Sequence, residues 1–326
     1  MTKLDMDMKT AGVSLSRARS LNSQLTDLVL PLALLALIVF GMTSFPSFGT
    51  AGNLLNILTF SSILLIVAVG ETFVVIGRGV DLSVGSMVGL SGAVMGILIL
   101  DGWHPLIAAV AALVLGCLIG YVHGLLVARL RISFLIVTLG SFSILRSQAQ
   151  VLLEGQSKTV SMPVMEALAT GRIGPVPNLV FVAVIVYAVS VVVLRCTGYG
   201  RALYAVGSSP EAARLAGIPS ARVTIIAFCI SAGTAAFAGL LTVGSLGSAQ
   251  TTAGTGMEMA ALSAVLLGGT RFSGGFGSAT RTLFGVLFLG VLNSILYAAG
   301  VSSFWQGTAS GLVLIAAVAL DRTRKD

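Results

Sequence analysis

The sequence predicts an all-α protein, a polytopic transmembrane bundle of about ten spans with short or broken helices among them and both termini cytoplasmic. Three observations lead there. Of 326 residues, 56% are hydrophobic and only 10% charged, with a mean hydropathy of +1.01, whereas soluble chains are about a quarter charged. Apolar runs of about 17 to 23 residues recur from end to end, each long enough to cross a hydrocarbon core of about 30 Å. Finally, the basic residues sort to one side. With the N-terminus inside, sixteen of the nineteen Lys and Arg residues fall in cytoplasmic segments, Lys158 and Arg172 fall outside and Arg146 lies within a span. The opposite orientation would invert that bias.

Residues 1–27 form a polar N-terminal tail carrying Lys3, Lys9, Arg17 and Arg19. With the apolar run behind it, this resembles a signal peptide in outline. The long polar lead, the want of a small-x-small cleavage site and the spans that follow favour a cytoplasmic tail. The transmembrane domain covers 28–320, with spans at about 28–45, 55–77, 84–100, 105–128, 132–153, 179–195, 222–243, 258–270, 280–299 and 304–320, and 321–326 form a cytoplasmic tail. No stretch is left for a sizeable soluble domain. Basic residues spread through short loops report topology and speak against nucleic acid. Cys117, Cys196 and Cys229 are scattered in apolar surroundings with no metal-type spacing, and read as small hydrophobic residues.

The spans near 84–100 and 258–270 are short and rich in glycine and serine, which makes them candidates for broken helices. Gly77 to Ser86, GRGVDLSVGS, and Gly269 to Ser278, GTRFSGGFGS, form a weak internal repeat. Irregular backbone at membrane depth is tolerated where protein or a water-filled cavity satisfies it, so a paired interruption points to a transport path. Ordinary turns are the plainer reading. Gly116, Gly120 and Gly124, and again Gly307 and Gly311, recur at four-residue spacing and would let helices approach closely.

Charges within spans are costly, on the order of 2.5 to 3.5 kcal/mol at a helix centre, and are functional candidates by default. Glu71 and Arg146 are the clear cases. At 1.5 Å per residue they lie about 10 Å and about 20 Å from the cytoplasmic ends of their helices, at different levels. Glu71 is therefore expected to be protonated or to pair with Arg78, and Arg146 to line an outward-facing cavity, unless both merely hold helices together. Gly89 to Gly92, GLSG, matches a short pattern of intramembrane serine proteases with His123 as the conceivable base. No phosphate-binding Gly-x-x-x-x-Gly-Lys-Ser/Thr loop exists, so ATP has no such site on this chain.

The longest cytoplasmic loop, 197–222, contains Ser208-Ser209-Pro210-Glu211 as a helix start and Gly217-Ile218-Pro219 as a stop. A short amphipathic helix is expected between them, as a capped connector or a docking element.

At this loop a family resemblance emerges. GRALYAVG followed by EAARLAGI at Glu211 to Ile218 resembles the coupling segment of ribose-type ABC sugar permeases. GVDLSVGS at Gly79 to Ser86, AQTTAGTGMEMAALSAVLLGGTRFSGGFGS from Ala249, and GVLNSILYAAGVSSFWQG near the end are similar to further stretches of that family. The resemblance covers roughly residues 50 to 320. It implies a permease that carries a monosaccharide inward across a bacterial inner membrane. Its partners would be ABC ATPase subunits, a second permease copy or homologue, and a periplasmic or tethered sugar-binding protein. There would be no cofactor on this chain and no catalysis by it, ATP and magnesium being held by the ATPase. Glu211, Ala212, Ala213, Arg214 and Gly217 would dock the ATPase. Asp81, Ser83, Gly85 and Ser86 would form one signature turn, and Gly268, Gly269, Gly274, Gly275 and Gly277 the other. Arg146 matches a family arginine, whereas Arg78 and Glu71 depart from the pattern. A neutral sugar suits a path or gate lined by Ser141, Gln148, Asn293 and Gln306 alongside Glu71 and Arg146. The alternatives are a nucleoside, autoinducer-type or amino-acid substrate on the same architecture, an ion-coupled transporter working alone, and the protease.

Overall fold

The computed structural model describes residues 28–302 and 304–323. In chain order the helices are α1 (Leu28–Ser44), α2 (Ala51–Ile76), α3 (Val84–Leu100), α4 (Pro105–Ala128), α5 (Phe134–Leu152), α6 (Pro163–Thr170), α7 (Asn178–Cys196), α8 (Gly198–Ser208), α9 (Pro210–Leu215), α10 (Ser220–Leu246), α11 (Met257–Leu267), α12 (Ala279–Ala298) and α13 (Phe304–Thr323). Each expected span is met by a helix of closely similar bounds. Among the described residues, α2, α4, α5, α7, α10 and α12 are long and apolar enough to cross a membrane, and α1, α3 and α11 are shorter apolar helices.

The bundle is built around α2 and α10. Residues Leu65 to Ile76 of α2 are all buried, and α10 packs on α2, α3 and α4. Such all-round burial explains why these helices are apolar on every face. On the outer helices α4 and α7 the exposed side chains are themselves large and apolar, among them Leu106, Val110, Val114, Val184, Ile185 and Val189. Apolar side chains inside and outside alike mark a protein solvated by lipid. The fit of α4 to α10 rests on the predicted glycine row: a Cβ at Gly116, Gly120 or Gly124 would run into Ala236, Cys229 or Ile225 of α10. Gly307 and Gly311 have no atom that near, so their row plays no such part within this chain.

The short span expected over 258–270 is the 11-residue helix α11, only about 16 Å long at 1.5 Å per residue. An irregular stretch, with positive φ at Gly254 and Gly256, replaces its missing first half. The 197–222 loop holds two helices where one was expected, because the extended backbone of Ser209 (φ -154°, ψ 100°) breaks α8 from α9. Short pieces unseen in the sequence complete the fold: α6, the antiparallel pair β1 (Lys158–Thr159) with β4 (Ser248–Ala249), and the pair β2 (Arg172–Ile173) with β3 (Val176–Pro177). The first of these pairs ties the segment after α5 to the segment after α10.

Candidate functional site

Helix α9 owes its limits to local chemistry. Ser209 Oγ accepts from the Ala212 amide at 3.3 Å, Pro210 opens the helix, and Glu211 stands in the first turn with Arg214 in the last. At the other end the Ile218 amide donates to Ala213 O at 2.9 Å and the Gly217 amide to Arg214 O at 3.0 Å, a Schellman closure that places Gly217 at φ +79°. One side chain, Ala213, is buried, while Glu211, Ala212 and Arg214 are exposed and Leu215 is 78% exposed. Beside α9 lies an open recess lined by Arg129, Arg131, Glu211, Arg214 and Arg222.

Behind α9, the end of α8 meets both glycine turns. A Cβ at Gly207 would collide with Ile76 O and the Gly275 amide, and that amide donates to Ile76 O at 2.9 Å. Gly274 lies against Arg78, which takes the left-handed conformation at φ +72°. Tyr204 of α8 donates its hydroxyl proton to Gly277 O at 2.8 Å. Burial raises the Tyr204 phenol above its ordinary pKa, so it remains a donor. The two stretches that echo each other in sequence thus abut in space, with the residues preceding α9 wedged onto them.

Above this junction lies a buried polar network. The Asp81 amide donates to Glu71 Oε1 at 2.9 Å. Asp81 Oδ1 accepts from the Ser83 amide at 3.0 Å and from Ser83 Oγ at 2.5 Å, and Oδ2 accepts from Ser231 Oγ of α10 at 3.1 Å. Both carboxylates are 1% exposed. The network folds the chain back from α2 so that α3 begins inside the bundle, and it pins that turn to α10. Glu71 binds the Asp81 backbone amide rather than Arg78. Nearby, Thr72 and Thr282 share a 2.7 Å hydrogen bond between α2 and α12.

A second cluster surrounds the start of α11. Arg146 Nη1 donates to Ala253 O at 2.7 Å and Thr251 O at 3.4 Å. Glu258 Oε1 accepts from the Gly256 amide at 3.2 Å, and Glu258 is 8% exposed. The segment leans so closely on α3 that a Cβ at Gly85 would strike Glu258 and Gly254 O, and one at Gly89 would meet Ala253 O at 2.9 Å. Ser86 Oγ donates to Phe142 O of α5 at 2.9 Å. Glu258 was missed by sequence reasoning, although the rule that singled out Glu71, a charge in an apolar run, applies to it equally.

The remaining residues singled out from sequence are dispersed. Gly268 and Gly269 end α11, with Gly268 against Arg281 O, and Gly277 packs on Thr270. Ser141 and Asn293 are half-buried and Gln148 is exposed; the side chain of Gln306 lies outside those described. Ser91 is fully buried and donates to Val88 O and Ala236 O, while His123 packs edge-on to Phe228 at 6.4 Å. Ser91 gives its hydroxyl to backbone carbonyls, and among the described residues no hydrogen bond joins it to His123.

A helical bundle with a half-length helix, two abutting glycine turns and charged groups held at depth defines a multi-pass membrane transport protein. The particular family follows from comparison: residues 53–318 match the family described as branched-chain amino acid transport system, permease component, and the chain belongs to it. The ribose import permease protein RbsC of Escherichia coli K12 is 39% identical over 298 residues, covering 90% of this chain and 93% of the relative. RbsC of Bacillus subtilis is 35% identical over 295 residues, 90% and 92% of the two chains. The fructose import permease protein FrcC of Rhizobium meliloti is 35% identical over 300 residues, 88% and 82%. No solved structure matches the chain.

Proposed function

We propose that this chain is the membrane-spanning subunit of an ATP-binding-cassette importer that passes a monosaccharide across a bacterial inner membrane. In this reading both termini are cytoplasmic and two ATPase subunits dock on α9. A second permease copy or homologue completes the path, and a periplasmic or tethered binding protein delivers the sugar. ATP and magnesium belong to the ATPase. The observation that carries the reading is the position of α9, capped at both ends, exposed along one side and backed by the junction of both glycine turns. The ribose and fructose import relatives support the substrate class.

The geometry suits transmission of force. A push on α9 reaches α8 through Ser209, and α8 bears on the ends of α2 and of the loop leading to α12 through Gly207 and Tyr204. From there it reaches the turn that starts α3 and the half-helix α11, whose irregular flanks are the natural places for a gate to shift.

The test is co-purification of the tagged chain with its candidate ATPases, and assay of ATP hydrolysis with ribose or fructose and their binding proteins. Glu211→Arg reverses a charge on the exposed first turn of α9 without touching the core. The expected result is sugar-stimulated hydrolysis in the wild type, lost in a variant that elutes as a normal monodisperse species. Uptake that follows a proton gradient with no ATPase bound would refute the proposal.

A further inference from the structure

The recess beside α9 gathers arginines from three separate segments. It lies between the ends of two membrane-crossing helices, after Ala128 of α4 and before Ser220 of α10, with α9 along its third side. Arg129, Arg131, Arg214 and Arg222 line it against one carboxylate, Glu211. All four arginines are exposed, and among the described residues none of them takes part in an ion pair. The recess has a volume of about 890 Å³ and continues past Ala128, Pro210, Ser220 and Ala221 into a chamber of about 180 Å³, which Arg78 lines together with Thr224 and Phe228.

The backbone adds a second observation. Among the described residues, Arg78 at φ +72°, Arg131 at +56° and Glu154 are the non-glycine residues with positive φ. Left-handed backbone disfavours any residue with a Cβ. Two of the three positions where the fold accepts it bring an arginine to this recess, and such strain gathers where a ligand is held.

Like charges drawn together repel, and one carboxylate does not offset them. A phosphate does, because guanidinium groups bind its oxygens through paired, charge-assisted hydrogen bonds. Depth selects the source of that phosphate. Helix α4 has 24 residues, about 36 Å at 1.5 Å per residue, so the arginines just beyond it stand at the level of lipid headgroups. Leu130, between Arg129 and Arg131, is 63% exposed, and Leu118 and Val122 on the preceding turns are exposed too. Apolar side chains that meet acyl chains beside arginines that reach headgroups suit a lipid site. Helix α9 turns Glu211 and Arg214, three residues apart, to the recess and leaves Ala212 and Leu215 exposed outside its lining, free for a protein partner.

We propose that this recess binds the phosphate headgroup of an anionic phospholipid, which bridges α9 to the ends of α4 and α10. Its occupation needs neither sugar nor ATPase.

The full chain is extracted from vesicles of phosphatidylcholine holding a minor share of phosphatidylglycerol, alone and with its candidate ATPases, and the lipid retained in detergent is counted by native mass spectrometry. Arg129→Gln combined with Arg131→Asn removes two guanidinium groups and keeps at 131 a residue that tolerates positive φ. Arg195→Gln combined with Arg201→Gln, exposed arginines outside the recess, is the charge-matched control. In the wild type, phosphatidylglycerol is expected to be enriched at least about fivefold over its share in the vesicles, and to fall back at least about fivefold in the recess variant but not in the control. Arg222→Gln alone, a milder change for a chain that must fold, is expected to lower retention at least about twofold. No enrichment in the wild type, or equal loss in the control, overturns the site. Displacement of the lipid by millimolar inorganic phosphate overturns the lipid as ligand in favour of a soluble phosphate. Loss of the lipid when the ATPases bind overturns it in favour of protein docking.

Discussion

Replacing Asp81 by alanine removes the acceptor for three buried donors, the Ser83 amide, Ser83 Oγ and Ser231 Oγ. A buried donor left unmatched costs about 1 to 3 kcal/mol. The two serine hydroxyls can turn to nearby backbone carbonyls, as Thr72 does with Ala68 O, but the Ser83 amide has no such freedom. The expected net loss is therefore about 2 to 4 kcal/mol. At about 2 to 4 °C per kcal/mol for a chain of this size class, the unfolding midpoint should fall by on the order of 10 °C. Asp81→Asn keeps one oxygen for both Ser83 bonds and reverses the Ser231 contact, the new amide donating to Ser231 Oγ, so it should lose less than half as much. The assay is thermal unfolding of the purified chain in detergent, followed by tryptophan fluorescence and by the monodisperse fraction on size exclusion. An alanine variant that melts with the wild type would refute the reasoning. So would an asparagine variant that falls as far as alanine, since the network would then not depend on its acceptor geometry.

Two further outcomes concern the junction behind α9. Gly207→Ala sets a Cβ against Ile76 O and the Gly275 amide; sugar-stimulated ATP hydrolysis should fall at least about fivefold while ATPase binding persists, because α9 itself is untouched. Pull-down and hydrolysis measured on the same sample check this. Tyr204→Phe deletes the bond to Gly277 O, worth about 1 kcal/mol, and should weaken coupling by less than Gly207→Ala with little change in the unfolding midpoint. Transport per ATP hydrolysed is the readout.

Most spans were legible because their length is fixed by the thickness of hydrocarbon, whatever packs around them, and this held even for α3 with its buried first turn, while α11 stops at half that length. The limits of α9 were legible because Ser209, Pro210 and Gly217 act on their own neighbours in sequence. The break at Ser209 was not, since α8 depends on burying Leu203 and Val206 against helices distant in the chain. Apolar helices such as α2 and α10 carry no periodicity from which a buried face could be read, so nothing in the sequence set Ser231 toward Asp81.

What the sequence by itself determined is an α-helical membrane protein of a recognisable transport family, with a capped surface helix ready to meet a partner. Only the tertiary structure decided that Glu71 serves the Asp81 amide rather than Arg78 and that Arg146 holds the carbonyls before α11. The reason is physical: burial in a bilayer is set by length and polarity, which are local, whereas the partner of a buried polar group is whatever the packing brings within about 3 Å.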